Sequence, residues 1–103
     1  MKQALLYDFY GELLTERQKQ VYESVVLEDC SLSETAEELG ISRQGVHDMI
    51  RRCNTILEGY EEKLHLVEKF VAIRGQVQRI HELARKLKSE EIVRIAGEVL
   101  EEL

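Results

Sequence analysis

Residues 30–49 read Cys30-Ser31-Leu32-Ser33-Glu34-Thr35-Ala36-Glu37-Glu38-Leu39-Gly40-Ile41-Ser42-Arg43-Gln44-Gly45-Val46-His47-Asp48-Met49, and nearly every position carries the residue type that a helix-turn-helix requires. Ser31 with Glu34 three residues on is a capping box, the hydroxyl accepting from a backbone N–H that the first helical turn leaves free. Leu32 and Ala36 face inward, and Ala36 is small enough for a second helix to cross close by. Gly40 permits the positive φ that a three-residue turn needs. Ser42 is an N-cap for the next helix, while Ile41, Val46 and Met49 supply the apolar inner face. The stretch is therefore predicted to be two short helices joined by a tight turn.

Upstream, Ala4, Leu5, Tyr7, Phe9, Tyr10, Leu13 and Leu14 form an apolar opening with helical spacing, broken at Asp8, Gly11 and Glu12. It is expected to pack on the core. Thr15-Glu16-Arg17-Gln18 is a further capping box and starts a helix with Val21, Tyr22, Val25 and Val26 inward, ending near Glu28 and Asp29. Downstream, Val46, Met49, Ile50 and Cys53 recur at steps of three and four, and nothing clearly stops that helix before Gly59.

From Ile56 onward the chain is continuously helix-compatible. Leu66, Phe70, Ile73, Val77, Ile80, Ala84 and Leu87 alternate steps of four and three, a heptad seam that suits either a coiled coil or a helix packed on its own domain. Ser89-Glu90-Glu91 then reads as a fresh helix start, leading into Ile92, Ile95, Ala96, Val99, Leu100 and Leu103. The expected fold is all-α: a helix-turn-helix domain without a wing over residues 1–65, then long C-terminal helices over 66–103 that suit homodimerisation.

Composition agrees with an ordered helical chain. The 103 residues are 44% hydrophobic and 33% charged, with no Pro and only 6 Gly, which allows one small domain with a helical extension. No apolar stretch approaches the roughly 18 residues that span a bilayer, so a cytoplasmic protein without membrane contact is expected. Cys30 and Cys53 fit no zinc or CxxC spacing and are expected as reduced thiols. Phosphate loops, HExxH and nucleophile elbows are missing, so neither an enzyme nor a cofactor or metal site is expected. The net charge of -6 arises entirely in residues 1–41, where Lys2, Arg17 and Lys19 stand against nine acids. Since DNA affinity rests largely on phosphate neutralisation, this opposes binding and leaves the burden to local basic residues.

Those residues cluster where a recognition helix would begin. The first turns of such a helix face the major groove, so Arg43, Gln44 and His47 are candidate base readers beside the Ser42 cap. A Gln amide matches adenine and an Arg fork matches guanine. Gly45 leaves room for close approach, Arg51 and Arg52 suit phosphate, as do Ser33 or Thr35 on the preceding helix, and Asp48 repels phosphate. His65 and His81 are isolated and read as structural. A second basic group, Arg74, Arg79, Arg85, Lys86 and Lys88 against only Glu82, suits RNA, an acidic protein, the acidic half of a dimer mate, or simply solvent.

Leu14-Thr15-Glu16-Arg17-Gln18 followed by Leu32 through Arg52 resembles the DNA-binding fourth region of bacterial sigma factors, with Thr35 in place of the usual Ile. More closely, Leu6-Tyr7-Asp8-Phe9-Tyr10, Leu13 through Gln18, Ile41 through Asp48 and Gly59-Tyr60-Glu61-Glu62-Lys63-Leu64 resemble the YlxM family of helix-turn-helix proteins. Met49-Ile50 and Gly45 depart from that family's pattern. The resemblance implies an all-helical bacterial cytoplasmic protein, a DNA-binding regulator associated with the signal recognition particle pathway. It places Arg43 and Gln44 where the family's Arg-Gln pair stands.

Overall fold

A computed structural model of the chain describes residues 2–103, in which every regular element is helical. The all-α class read from the sequence is the one observed. In order these are α1 (Lys2–Tyr10), a 3₁₀ turn (Gly11–Leu13), α2 (Glu16–Tyr22), a π-helical turn (Glu23–Leu27), α3 (Leu32–Leu39), α4 (Arg43–Leu64), α5 (Leu66–Lys86) and α6 (Glu90–Glu102). They form two compact units, one ending at His65 and one spanning Leu66–Leu103.

In the first unit, polar caps decide where helices begin. The Gln18 N–H donates to Thr15 Oγ1 at 3.2 Å while the Thr15 N–H donates to Gln18 Oε1 at 2.9 Å, so two otherwise orphaned donors are satisfied together. Ser31 Oγ accepts from the Glu34 N–H at 3.0 Å, and Ser42 Oγ from the Gly45 N–H at 2.9 Å.

Between the last two caps the chain reverses at Gly40, which lies in the left-handed region at φ 68°, ψ 32°. The Gly40 N–H donates to Glu37 O at 3.3 Å and the Ile41 N–H to Ala36 O at 3.0 Å, the paired bonds that close a helix on a left-handed residue. The turn folds α3 onto α4. Val21, Ala36 and Val46 form the centre of the core, with Val25, Leu32, Leu39, Ile41, Met49 and Ile50 packed round it.

Helix α1 covers the other side of α4. Leu6, Tyr10, Leu14, Tyr22, Cys53 and Leu57 are buried, and Leu13 of the predicted apolar opening is exposed instead. Phenols carry much of the polar attachment. The Tyr22 hydroxyl donates to Asn54 Oδ1 at 2.8 Å, Tyr10 donates to Glu61 at 2.6 Å and Tyr7 to Glu23, with the Tyr7 and Tyr22 rings stacked at 5.4 Å. Burial pushes the Tyr22 hydroxyl up to about 12, which keeps it a neutral donor at physiological pH.

Three features differ from the sequence-based expectation. The helix after Thr15 does not stay α-helical: residues 23–27 widen into a π turn, closed by Glu28 N–H to Glu23 O at 2.9 Å, and Asp29 follows at φ 56°. The second helix of the motif is not short, because α4 runs 22 residues straight through Gly59. The run expected to be continuous from Ile56 breaks at His65, which adopts φ 55° and donates its N–H to Glu61 O at 2.8 Å. His is among the few residues other than glycine that are enriched in that region, so no glycine or proline marks the break.

The second unit is a helical hairpin. Lys88 turns at φ 56°, its N–H donating to Arg85 O at 3.1 Å and the Ser89 N–H to Ala84 O at 3.0 Å, while Ser89 Oγ caps α6 by accepting from the Ile92 N–H at 3.4 Å. So short a connection makes α5 and α6 antiparallel neighbours. The expected heptad seam divides. Ala84 is buried and Val77 half-buried, whereas Ile73, Ile80 and Leu87 of the same row are exposed. Cys30 and Cys53 are free thiols. No helix among the described residues is long and apolar enough to cross a membrane.

Candidate nucleic-acid interface

The Gly40 turn determines which side of α4 is left bare. Val46 and Cys53 are buried and Met49 and Ile50 half-buried, so they occupy the inner side of the helix. Arg43, Gln44, His47, Arg51 and Arg52 fall between them in the helical repeat and are all exposed. Among the described residues no ion pair engages Arg43, Arg51 or Arg52; by contrast, Arg94 pairs with Glu98 at 3.0 Å and Lys19 with Glu12 at 3.1 Å. The three guanidinium groups keep their donors available to a new acceptor.

Asp48 does more than repel. Gln44 Nε2 donates to Asp48 Oδ1 at 3.0 Å, and His47 Nδ1 lies 3.8 Å from the same oxygen. The carboxylate thus holds one N–H of the Gln44 amide one helical turn away, leaving its second N–H and Oε1 without a hydrogen bond among the described residues. A groove contact through Oε1 and the second N–H can form with the Asp48 bond in place.

Two shallow hollows border this surface. One, of about 400 Å³, is lined by Leu32, Arg43, Gln44 and His47, where the start of α3 meets the start of α4. The other, of about 510 Å³, lies between α2 and α4 and is lined by Gln18, Asp48, Arg51, Arg52, Thr55 and Ile56. Gln18, expected only as a capping residue, and Thr55, not among the expected contacts, both line this hollow. Thr55 sits eleven residues after Gln44, three helical turns along the same stripe, and that spacing is the signal that points to it.

Other expected contacts are placed differently. Ser33 is exposed on α3, as a phosphate contact requires. Thr35, named beside it, is 1% exposed, and its Oγ1 is buried with no hydrogen-bond partner among the described residues. It belongs to the core, so the phosphate contact expected of it is corrected. Ser42 is exposed, but its oxygen is engaged in capping Gly45. The space expected at Gly45 does not open toward a ligand. A Cβ there would stand 3.2 Å from Ser42 Oγ and 3.8 Å from Ile41 Cδ1, so the missing side chain lets the turn close on itself. Glu34, Glu37 and Glu38 are exposed along α3 and keep the neighbouring field negative.

With that geometry in view, comparison with known proteins is informative. Residues 1–95 match the family described as "Putative helix-turn-helix protein, YlxM / p13 like". The chain belongs to this family. The UPF0122 protein YlxM of Bacillus subtilis is 45% identical over 98 residues, 95% of this chain and 89% of the relative. A UPF0122 protein of a Thermoanaerobacter species is 41% identical over 103 residues, 96% of this chain and 88% of its own length. A third, from Acetivibrio thermocellus, is 48% identical over 89 residues, covering 86% and 74%. The YlxM-like match takes in both the Gly40 turn and the bare face of α4.

Proposed function

We propose that this YlxM-like chain is a non-enzymatic, cytoplasmic DNA-binding regulator whose α4 enters the major groove. Arg43, Gln44 and His47 read base edges, Arg51, Arg52 and Ser33 meet phosphates, and two copies associate through their C-terminal helices. The observation that carries the reading is the exposed Arg43-Gln44 pair at the start of a 22-residue helix, immediately beyond a left-handed turn at Gly40. In this geometry the helix N-terminus and unpaired guanidinium groups meet the duplex together, and local positive charge acts against the acidity of residues 1–41.

The test is fluorescence anisotropy with duplexes of several sequences. Arg43→Ala combined with Gln44→Ala is expected to abolish sequence preference, because each bidentate base contact contributes about 1–3 kcal/mol of discrimination. Arg51→Ala is expected to weaken binding to every duplex alike and to make the salt dependence shallower. Coincident curves for wild type and variants would count against groove reading.

A second reading is favoured by one observation, the exposed acids of α3 beside the reading face. In it the scaffold is an adaptor that binds the signal recognition particle protein or the ribosome instead of DNA. The adaptor gives no duplex shift even near 50 mM salt, where phosphate contacts are strongest, and it retains that partner in pull-down.

A further inference from the structure

The α5–α6 hairpin presents an apolar face bordered by charges of opposite sign, and the geometry points to a second copy of this chain as its occupant. In the proposed arrangement α5 of each copy lies against α6 of the other. The inference rests on the two-copy part of the reading above and adds which helices meet and in which direction.

Ile73 and Ile80 on α5 and Leu87 just past its end are spaced by seven, with Leu83 between the last two, and Ile73, Ile80, Leu87 and Leu83 are 47%, 51%, 77% and 50% exposed. On α6, Ile92, Ile95 and Val99 are 45%, 47% and 38% exposed. On α5 the row lies about 20–60° round from Ala84, with Leu83 at about 100°, and on α6 about 40–100° round from Ala96, in the same rotational sense along the chain. Because the two helices run antiparallel, equal rotations bring both rows to one side of the hairpin. The result is a continuous apolar face across both helices. A two-helix unit of this size is below what a self-sufficient core requires, and association is the usual remedy.

The outer edges of that face decide the occupant. Arg79 and Lys86, seven residues apart, border the α5 row, and both are exposed with no ion pair among the described residues. Glu91, Glu98 and Glu102, at steps of seven and four, border the α6 row, and all three are exposed. Glu98 is also paired with Arg94 at 3.0 Å. One edge of the hairpin is therefore basic and the other acidic, which is the charge pattern of a surface complementary to itself.

Two copies can meet face to face about a two-fold axis in two ways. An axis across the helices sets α5 against α5 and α6 against α6, with like charges adjacent on both sides. An axis along the helices sets α5 against the mate's α6 on each side, with Arg79 and Lys86 beside the acids. Only the second arrangement pairs opposite charges. It makes a four-helix bundle in which every neighbour is antiparallel, and both chains enter it through Leu66 at the same end.

The experiment is multi-angle light scattering of the full chain, without DNA, at micromolar concentration and two salt concentrations. Wild type is expected at twice the 12.0 kDa of one chain. Arg79→Glu with Lys86→Glu makes both edges acidic, and Glu91→Lys with Glu98→Lys makes both basic, so each double variant is expected to self-associate at least tenfold more weakly. An equimolar mixture of the two is expected to recover a 1:1 dimer, which also shows that both variants are folded. A monomeric wild type overturns the proposal together with the two-copy part of the functional reading. Undiminished self-association of the Arg79→Glu, Lys86→Glu variant, or a mixture that stays monomeric, overturns this arrangement alone. None of these outcomes bears on whether α4 reads DNA.

Discussion

The turns at Gly40 and Lys88 close with the same pair of backbone hydrogen bonds, yet one sits inside a core and the other inside a bare hairpin. At both, the left-handed residue donates to the carbonyl three back, and the next residue donates to the carbonyl five back. At Gly40 the two joined helices also meet α2, so Val21 completes a buried centre with Ala36 and Val46. At Lys88 only two helices are joined: Val67, Ala84 and Ala96 are buried, Val77, Val93 and Leu100 only half-buried, and Ile73, Ile80, Leu83, Ile92 and Ile95 stay exposed. The difference teaches that local turn chemistry specifies a hairpin, whereas burial requires a third element. In the first unit that element is within the chain; in the second we propose that it is another copy.

The largest expected effect probes the core side of this contrast. Leu57 is fully buried on α4, so Leu57→Ala is expected to destabilise by about 2–5 kcal/mol through lost burial and the cavity left behind. Ile80→Ala, on the open face, is expected to cost much less in dilute, monomeric protein and to raise the concentration at which dimers form. Urea unfolding at two protein concentrations checks both, and equal losses at high dilution would break the distinction between filled core and open face.

A smaller pair of effects sharpens the comparison of the turns themselves. Gly40→Ala places a Cβ at φ 68° and is expected to cost about 1–2 kcal/mol. Lys88→Gly removes that strain at φ 56° and, after the added chain entropy, is expected to gain about 0.5–1 kcal/mol. Thermal melts followed by circular dichroism measure both; the same sign for the two would contradict equivalence of the turns. Smallest is Thr35→Val, which removes a buried hydroxyl without a partner while keeping its volume. A modest gain in melting temperature is expected, and a loss would mean that the hydroxyl is satisfied.

Much of the first unit was legible because its signals are short-range and chemically specific. Thr15 with Gln18, Ser31, Gly40 and Ser42 each mark a helix end by a hydrogen bond or a φ that few residues supply. The inner side of α4 followed from the spacing of Val46, Met49 and Cys53. The breaks at His65 and Lys88 were less visible, since neither is a glycine and the enrichment of His in the left-handed region is too weak to mark a helix end by itself, although Ser89 did mark the start of α6. The π turn at residues 23–27 carried no signal at all, because its residues differ little from those of an ordinary helix. At the candidate site, exposure of Arg43 and Gln44 was readable from periodicity. The burial of Thr35 and the inward gap at Gly45 depend on how closely α3 and α4 pack, which residue types alone do not encode.

The most direct test of the account is selection of duplexes from a random DNA library by the wild-type chain and by the Arg43→Ala, Gln44→Ala variant at two salt concentrations. The account predicts that wild type enriches a defined sequence and that the variant, equally folded, enriches none. Enrichment of the same sequence by both proteins, or of no sequence by wild type, would contradict it.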